Sequence, residues 1–82
     1  NSQSYLLQSV INDMKSDPKL SMKKKDGNYV FKSKVNYKNN SNLTYQKVIV
    51  DKNYIIKSVY VYDKDGNVNM KVDYTTIDMK AI

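Results

Sequence analysis

The acidic side chains are the first candidates for chemistry, because the chain offers few others. Asp63-Lys64-Asp65-Gly66-Asn67 spaces two carboxylates as the opening of a calcium loop would. An EF-hand needs its Gly at the sixth position and a bidentate Glu at the twelfth. Here Gly comes fourth and the chain has no Glu; the segment reads as a hairpin turn. Asp63 with Asp65, and Asp73 with Asp78, are the close acidic pairs available for general acid–base work. That work needs a desolvated, positioned carboxyl. A turn tip supplies no desolvation, and a strand's polar face supplies little.

Lys23-Lys24-Lys25, with Lys32 and Lys34 across a hairpin, form a basic patch suited to a polyanion: nucleic acid, anionic lipid or a cell-wall polymer. Nearby tyrosines are candidates for stacking on bases. Against this, the Tyr positions share faces with Val, Phe and Ile, which makes most of them core or cleft residues. Arg, the best bidentate grip on phosphate and guanine, is absent. The plainer reading is a solvated lysine face that blunts sheet edges, with no nucleic acid expected. Asn39-Asn40-Ser41 and Asn42-Leu43-Thr44 match the glycosylation sequon, as chance products of Asn richness.

The missing residue types exclude whole classes. All fourteen basic residues are Lys and all eight acidic ones Asp, for a net charge of +6. Without Cys there is no disulfide frame, zinc knuckle or thiol nucleophile. Without His there is no Ser-His couple and no imidazole base or ligand. No apolar run approaches the ~18 residues that span a bilayer. No catalytic, cofactor-binding or metal-binding residue is assigned, no cofactor is expected, and the residues that would bind a partner stay unassigned.

The elements that must position these side chains follow from periodicity. In residues 4–16, Leu6, Leu7, Val10, Ile11 and Met14 make one apolar stripe of a helix, with Ser2 or Ser4 as N-cap and Pro18 as its stop. From Leu20 the period becomes two. Asp26-Gly27-Asn28, Asp51-Lys52-Asn53 and Asp63–Asn67 are turns, and residues 38–42 a polar loop. Tyr29, Phe31, Val35 and Tyr37 share one strand face. Leu43 to Asp51 is a further strand, doubly buried near Val48-Ile49-Val50. In residues 54–62, Ile56, Tyr60 and Tyr62 alternate against Ile55, Val59 and Val61. Val68, Met70, Val72 and Tyr74 share a face of the last strand, whose parity slips at Ile77 and Met79, suggesting a bulge. The fold class is α+β: one helix, then an antiparallel meander of about five strands over residues 20–80.

Residues 49–74 also carry a resemblance. Ile49-Val50-Asp51-Lys52, then Ile55-Ile56-Lys57-Ser58-Val59-Tyr60-Val61-Tyr62-Asp63-Lys64-Asp65-Gly66-Asn67-Val68, then Met70-Lys71-Val72-Asp73-Tyr74 resemble the C-terminal half of the LolA-like outer-membrane lipoprotein-sorting family. The helix and the Asp26–Tyr29 hairpin fit the same order. One departure is Ile56, where the family usually has Pro. The Lys, Asn and Tyr excess points to an A/T-rich source and, within the family, to the clostridial spore germination lipoproteins of the GerS type. The resemblance implies a half-barrel, a curved sheet with helices on its concave side. It also implies an extracytoplasmic lipoprotein of the spore or cell envelope, membrane-attached only through an upstream lipid anchor outside this chain. Its role would be to license an N-acetylmuramoyl-L-alanine amidase for cortex peptidoglycan modification. The alternatives are a lipid or lipoprotein carrier using an apolar concave face, a nucleic-acid binder and, most remote, an enzyme.

Asn1 and Ile82 read as cut ends, so residues 1–82 are expected to be a single domain or the C-terminal part of a LolA-like one. A chain of about 80 residues buries only about 60–65% of its extended surface, and open sheet edges seek pairing. The chain is therefore expected to associate, with a second copy, its missing half or a partner. Gel filtration with light scattering checks this; a sharply folded, stable monomer would contradict it.

Overall fold

The structure is a computed structural model that describes residues 2–74, with side chains from Leu7 onward. Helix α1 (Ser2–Ser16) precedes five strands: β1 (Ser21–Lys25), β2 (Asn28–Lys34), β3 (Leu43–Val50), β4 (Ile56–Asp63) and β5 (Val68–Asp73). They form one antiparallel sheet in the order β1-β2-β3-β4-β5. The expected α+β meander is therefore present. The helix begins at Ser2, so Ser4 lies inside it. The bulge expected near Ile77, and Asp78, lie outside the described residues.

Period-two alternation divides the sheet into a helix side and an outer side. On the helix side Phe31, Val48, Val59 and Val72 stand in register across β2 to β5, flanked by Ser33, Gln46, Val61 and Met70. Leu7 and Val10 of α1 close onto this row, and Ile11 and Met14 pack beside them. The helix is fastened by a polar bond as well. Gln46, with no exposed surface, donates from Nε2 to the Val10 carbonyl at 3.2 Å and to Ser33 Oγ at 3.0 Å. At the helix end, Asp17 accepts from the amides of Lys19 (2.8 Å) and Lys34 (2.7 Å), tying the turn at Pro18 to the edge of β2.

Three bulges break the alternation and correct the face assignments made from sequence. β3 and β4 pair Ile49 with Ser58 but Val50 with Ile56, leaving Lys57 as the extra residue. Ile56 therefore joins the helix side with Val59 and Val61, and not the face of Tyr60 and Tyr62. Thr44 is extra between Leu43 and Tyr45; its hydroxyl donates to the carbonyls of Tyr62 and Asp63. Asn69 is extra opposite Val61 and Tyr62, which turns Val68 outward, 51% exposed, away from Met70 and Val72. An extra residue in one strand bends it and re-aims its neighbours.

Truncating Gln46 removes two buried hydrogen bonds and leaves a cavity. Gln46→Ala should cost about 2–4 kcal/mol in urea unfolding. The double change Gln46→Met with Ser33→Ala, which removes the buried amide and the hydroxyl together and keeps the volume at position 46, should cost less than half of that.

Candidate functional site

Three surfaces hold side chains able to act on a ligand, and the sheet's alternation positions each. The first is a polar recess of about 620 Å³ beside the helix end, lined by Asp13, Asp17, Pro18, Lys34, Asn36 and Thr44 among others. Both Asp17 oxygens are occupied by backbone amides, which hold its pKa below the ordinary value. Burial pushes the Asp13 carboxyl above its ordinary value, against a hydrogen bond from the Asn36 amide. Burial, then the charge of Asp13, raises Tyr37; burial, then Tyr37, raises Tyr74. Tyr74 is 2% exposed, and its phenol oxygen has no hydrogen-bond partner among the described residues.

The second is an apolar groove of about 340 Å³ on the helix side, lined by Ile11, Met14, Leu20, Val50, Tyr54 and Ile56 with their neighbours. Here the sheet extends past its helical cover. Leu20 is 39%, Met22 52%, Ile55 46% and Tyr54 75% exposed. Tyr54 stands at φ +64°, a left-handed conformation that costs a non-glycine residue about 1–2 kcal/mol. Asp51 holds it there: its carbonyl accepts from the Tyr54 amide, and its Oδ1 from the amides of Asn53 and Ile55. The Tyr54 ring stacks on Tyr29, centroids 5.7 Å apart.

The third is the outer side of the sheet. Tyr45 and Tyr62 face each other across β3 and β4 with centroids 4.6 Å apart and planes 5° from parallel. Lys32 Nζ lies 4.5 Å from the Tyr45 ring, Lys47 Nζ 5.4 Å from Tyr62, and Lys71 Nζ 5.3 Å from Tyr60.

Against the sequence reading, the largest difference is in the tyrosines. Tyr29, Tyr37 and Tyr74 lie with the apolar set, whereas Tyr45, Tyr60 and Tyr62 stand among the outer lysines. Strand alternation after the bulges is the reason. The basic patch is also wider than Lys23–Lys25 with Lys32 and Lys34. Lys24 falls on the helix side, opposite Tyr29, and Lys47 and Lys71 join the outer side. The Asp63 carboxylate serves the turn, accepting from the amides of Asp65 (2.9 Å) and Asn67 (3.0 Å) with Gly66 at φ +83°. Asp73 sits on the outer side opposite Ser58. Among the described residues no cluster of three or more acidic groups could hold a metal ion, and no helix is long and apolar enough to cross a membrane. Sequence reasoning missed Gln46 and Ser33; their place in the inward parity of β3 and β2 was the available signal.

An α+β open sheet with one helix and two unlike faces is the class this geometry defines. The chain is similar to the sporulation protein YdcC of Bacillus subtilis (strain 168), 33% identical over 78 residues, which cover 94% of this chain and 23% of that protein. The chain thus spans about a quarter of the length of the curated relative it matches, and the similarity links it to sporulation. No family model matches it, and no solved structure does.

The raised Asp13 pKa has a signed consequence. The folded state binds this proton more tightly than the unfolded chain. Its contribution therefore lowers stability as pH rises from the unfolded pKa through the folded one, and stability stays lower at neutral pH. Asp13→Asn keeps an oxygen acceptor for the Asn36 amide. It should raise the melting temperature at pH 7, with the gain vanishing below the ordinary carboxylate range in a pH series.

Proposed function

We propose that this chain is a non-enzymatic binding module of a sporulation protein that engages a protein partner through the uncovered half of its helix side. The exposed groove around Tyr54 carries the reading. Large apolar side chains exposed together mark contact surfaces, and a rigid aromatic ring is the commonest kind of interface anchor. The positive-φ conformation leaves Tyr54 75% exposed, with its ring stacked on Tyr29 alone of the described aromatic rings. Strain retained at an exposed aromatic fits a contact made with another molecule.

The finer reading extends the LolA-like resemblance. The chain would be part of a half-barrel in an extracytoplasmic lipoprotein, held to the membrane by an upstream lipid anchor. Its partner would be a cell-wall N-acetylmuramoyl-L-alanine amidase, licensed for cortex modification. Open sheet edges would favour association with the rest of the protein or a second copy. A second reading, a carrier of acyl chains, is favoured by one observation: Ile11, Met14, Val48, Val50 and Ile56 make the groove floor apolar.

Tyr54→Gly separates binding from folding, because glycine accepts φ +64° without strain. Titration against the purified amidase should show affinity falling at least tenfold, with the unfolding midpoint little changed. Equal affinity for the variant would contradict the partner reading. Displacement of a fluorescent fatty-acid probe from the groove, with no amidase binding, would support the carrier.

A further inference from the structure

The recess carboxylates are committed to backbone amides and the groove has a proposed use, but the outer face is unexplained. Its side chains form straight rows across the strands. Ser21, Lys32, Lys47, Tyr60 and Lys71 stand in register from β1 to β5, and Lys34, Tyr45, Tyr62 and Val68 in register beside them. With strands about 4.8 Å apart, the ammonium and phenol groups of the first row, from Lys32 to Lys71, form a line about 14 Å long. Lys23 and Lys25 extend the positive field at the β1 edge, and Asp73 is the one acid at an outer register position of the described strands.

A merely solvated lysine face would spread its charges. Here Lys32 and Lys47 are direct cross-strand partners, a like-charge pairing that destabilises a sheet. Moreover, three ammonium groups lie over tyrosine rings, 4.5 to 5.4 Å from the centroids. Both features are relieved or used when an anion lies along the row. The aromatic geometry narrows the kind of anion. Tyr45 and Tyr62 cover each other's inner faces, and Lys32 and Lys47 lie over the rings. Little open ring face is left there for a base to stack on, which single-strand nucleic-acid binding relies on. On the outer side, among the described residues, Val68 at the β5 end is the one large apolar side chain that is exposed; Val30 and Ile49, paired across β2 and β3, are half-buried, which leaves little apolar surface for lipid insertion.

We propose that the outer face binds a linear phosphate polymer without bases, laid across the strands along the Lys32–Lys47–Tyr60–Lys71 row. Ammonium groups neutralise successive phosphates, and the Tyr60 hydroxyl donates to a phosphate oxygen between Lys47 and Lys71. The site lies on the opposite side of the sheet from the Tyr54 groove and does not depend on the reading of that groove.

Inorganic polyphosphate is the probe, followed by fluorescence anisotropy over a salt series. The apparent affinity should fall linearly on a log–log plot with salt, and the combined Lys32→Gln, Lys47→Gln, Lys71→Gln variant should reduce that slope by about two. The same variant should bind at least thirtyfold more weakly at low salt. A charge-matched control, Lys15→Gln with Lys52→Gln and Lys64→Gln, should change affinity less than threefold. Lys47→Gln alone should raise the melting temperature of the free protein while weakening binding, which separates the site from a loss of fold. Equal weakening by both triple variants would overturn the proposal, leaving net charge as the explanation. It would also be overturned by no polyphosphate binding, or by an oligo-dT of equal charge binding tenfold tighter. Binding to phosphatidylglycerol vesicles that polyphosphate cannot displace would overturn it in favour of a lipid surface.

Discussion

The hydrogen bond from Gln46 Nε2 to the Val10 carbonyl is the constraint on which the rest of the architecture depends. Gln46 occupies the middle of the central strand with no exposed surface, where an apolar residue would pack with less polar cost. A buried amide without a partner costs about 1–3 kcal/mol, so the strand and helix are fixed in one relative position, the position that supplies a partner. Ser33 takes the second amide proton. The Oε1 atom has no partner among the described residues, so the bond specifies position at some cost in stability. The surrounding valines, Val10, Val48, Val59 and Val61, then supply the apolar burial.

One helix can cover only part of a five-stranded sheet. Because Gln46 places α1 over β2 and β3, one end of the helix side is left bare around Leu20, Met22 and Tyr54, and no described element covers the outer side. Those two surfaces differ in chemistry because alternation sorts the side chains and three bulges reset it. Thr44, Lys57 and Asn69 each re-aim the residues beyond them, bringing Ile56 into the core and Val68 out of it. The apolar groove and the lysine–tyrosine face are thus opposite products of the same pleat.

Much of this fold was legible in the residues. The helical stripe from Leu7 to Met14, the turn chemistry of Asp26-Gly27 and Asp63–Asn67, and the change to period two together specify one helix and a meander. Bulges were not legible within the described strands, because nothing in the residue types of Thr44, Lys57 or Asn69 marks an extra residue; only the pairing partner does. The tyrosine assignment failed for a related reason. A tyrosine reads as apolar by its ring and as polar by its hydroxyl, so its type fits either face. Tyr62 stands beside Val61 in sequence but across the sheet plane from it. Sequence parity alone did place Gln46 and Ser33 on the inward face; their polarity masked it.

The central claim is that the helix and the central strand form one cooperative unit joined by Gln46, with both candidate surfaces defined by that union. Native-state hydrogen exchange tests it most directly, read at the amides of Val10 to Met14 and of Gln46 to Val48. The account predicts that both sets exchange through openings of equal free energy, close to that of global unfolding. Helix amides that exchange through a much cheaper opening, while those of β3 stay protected, would contradict it.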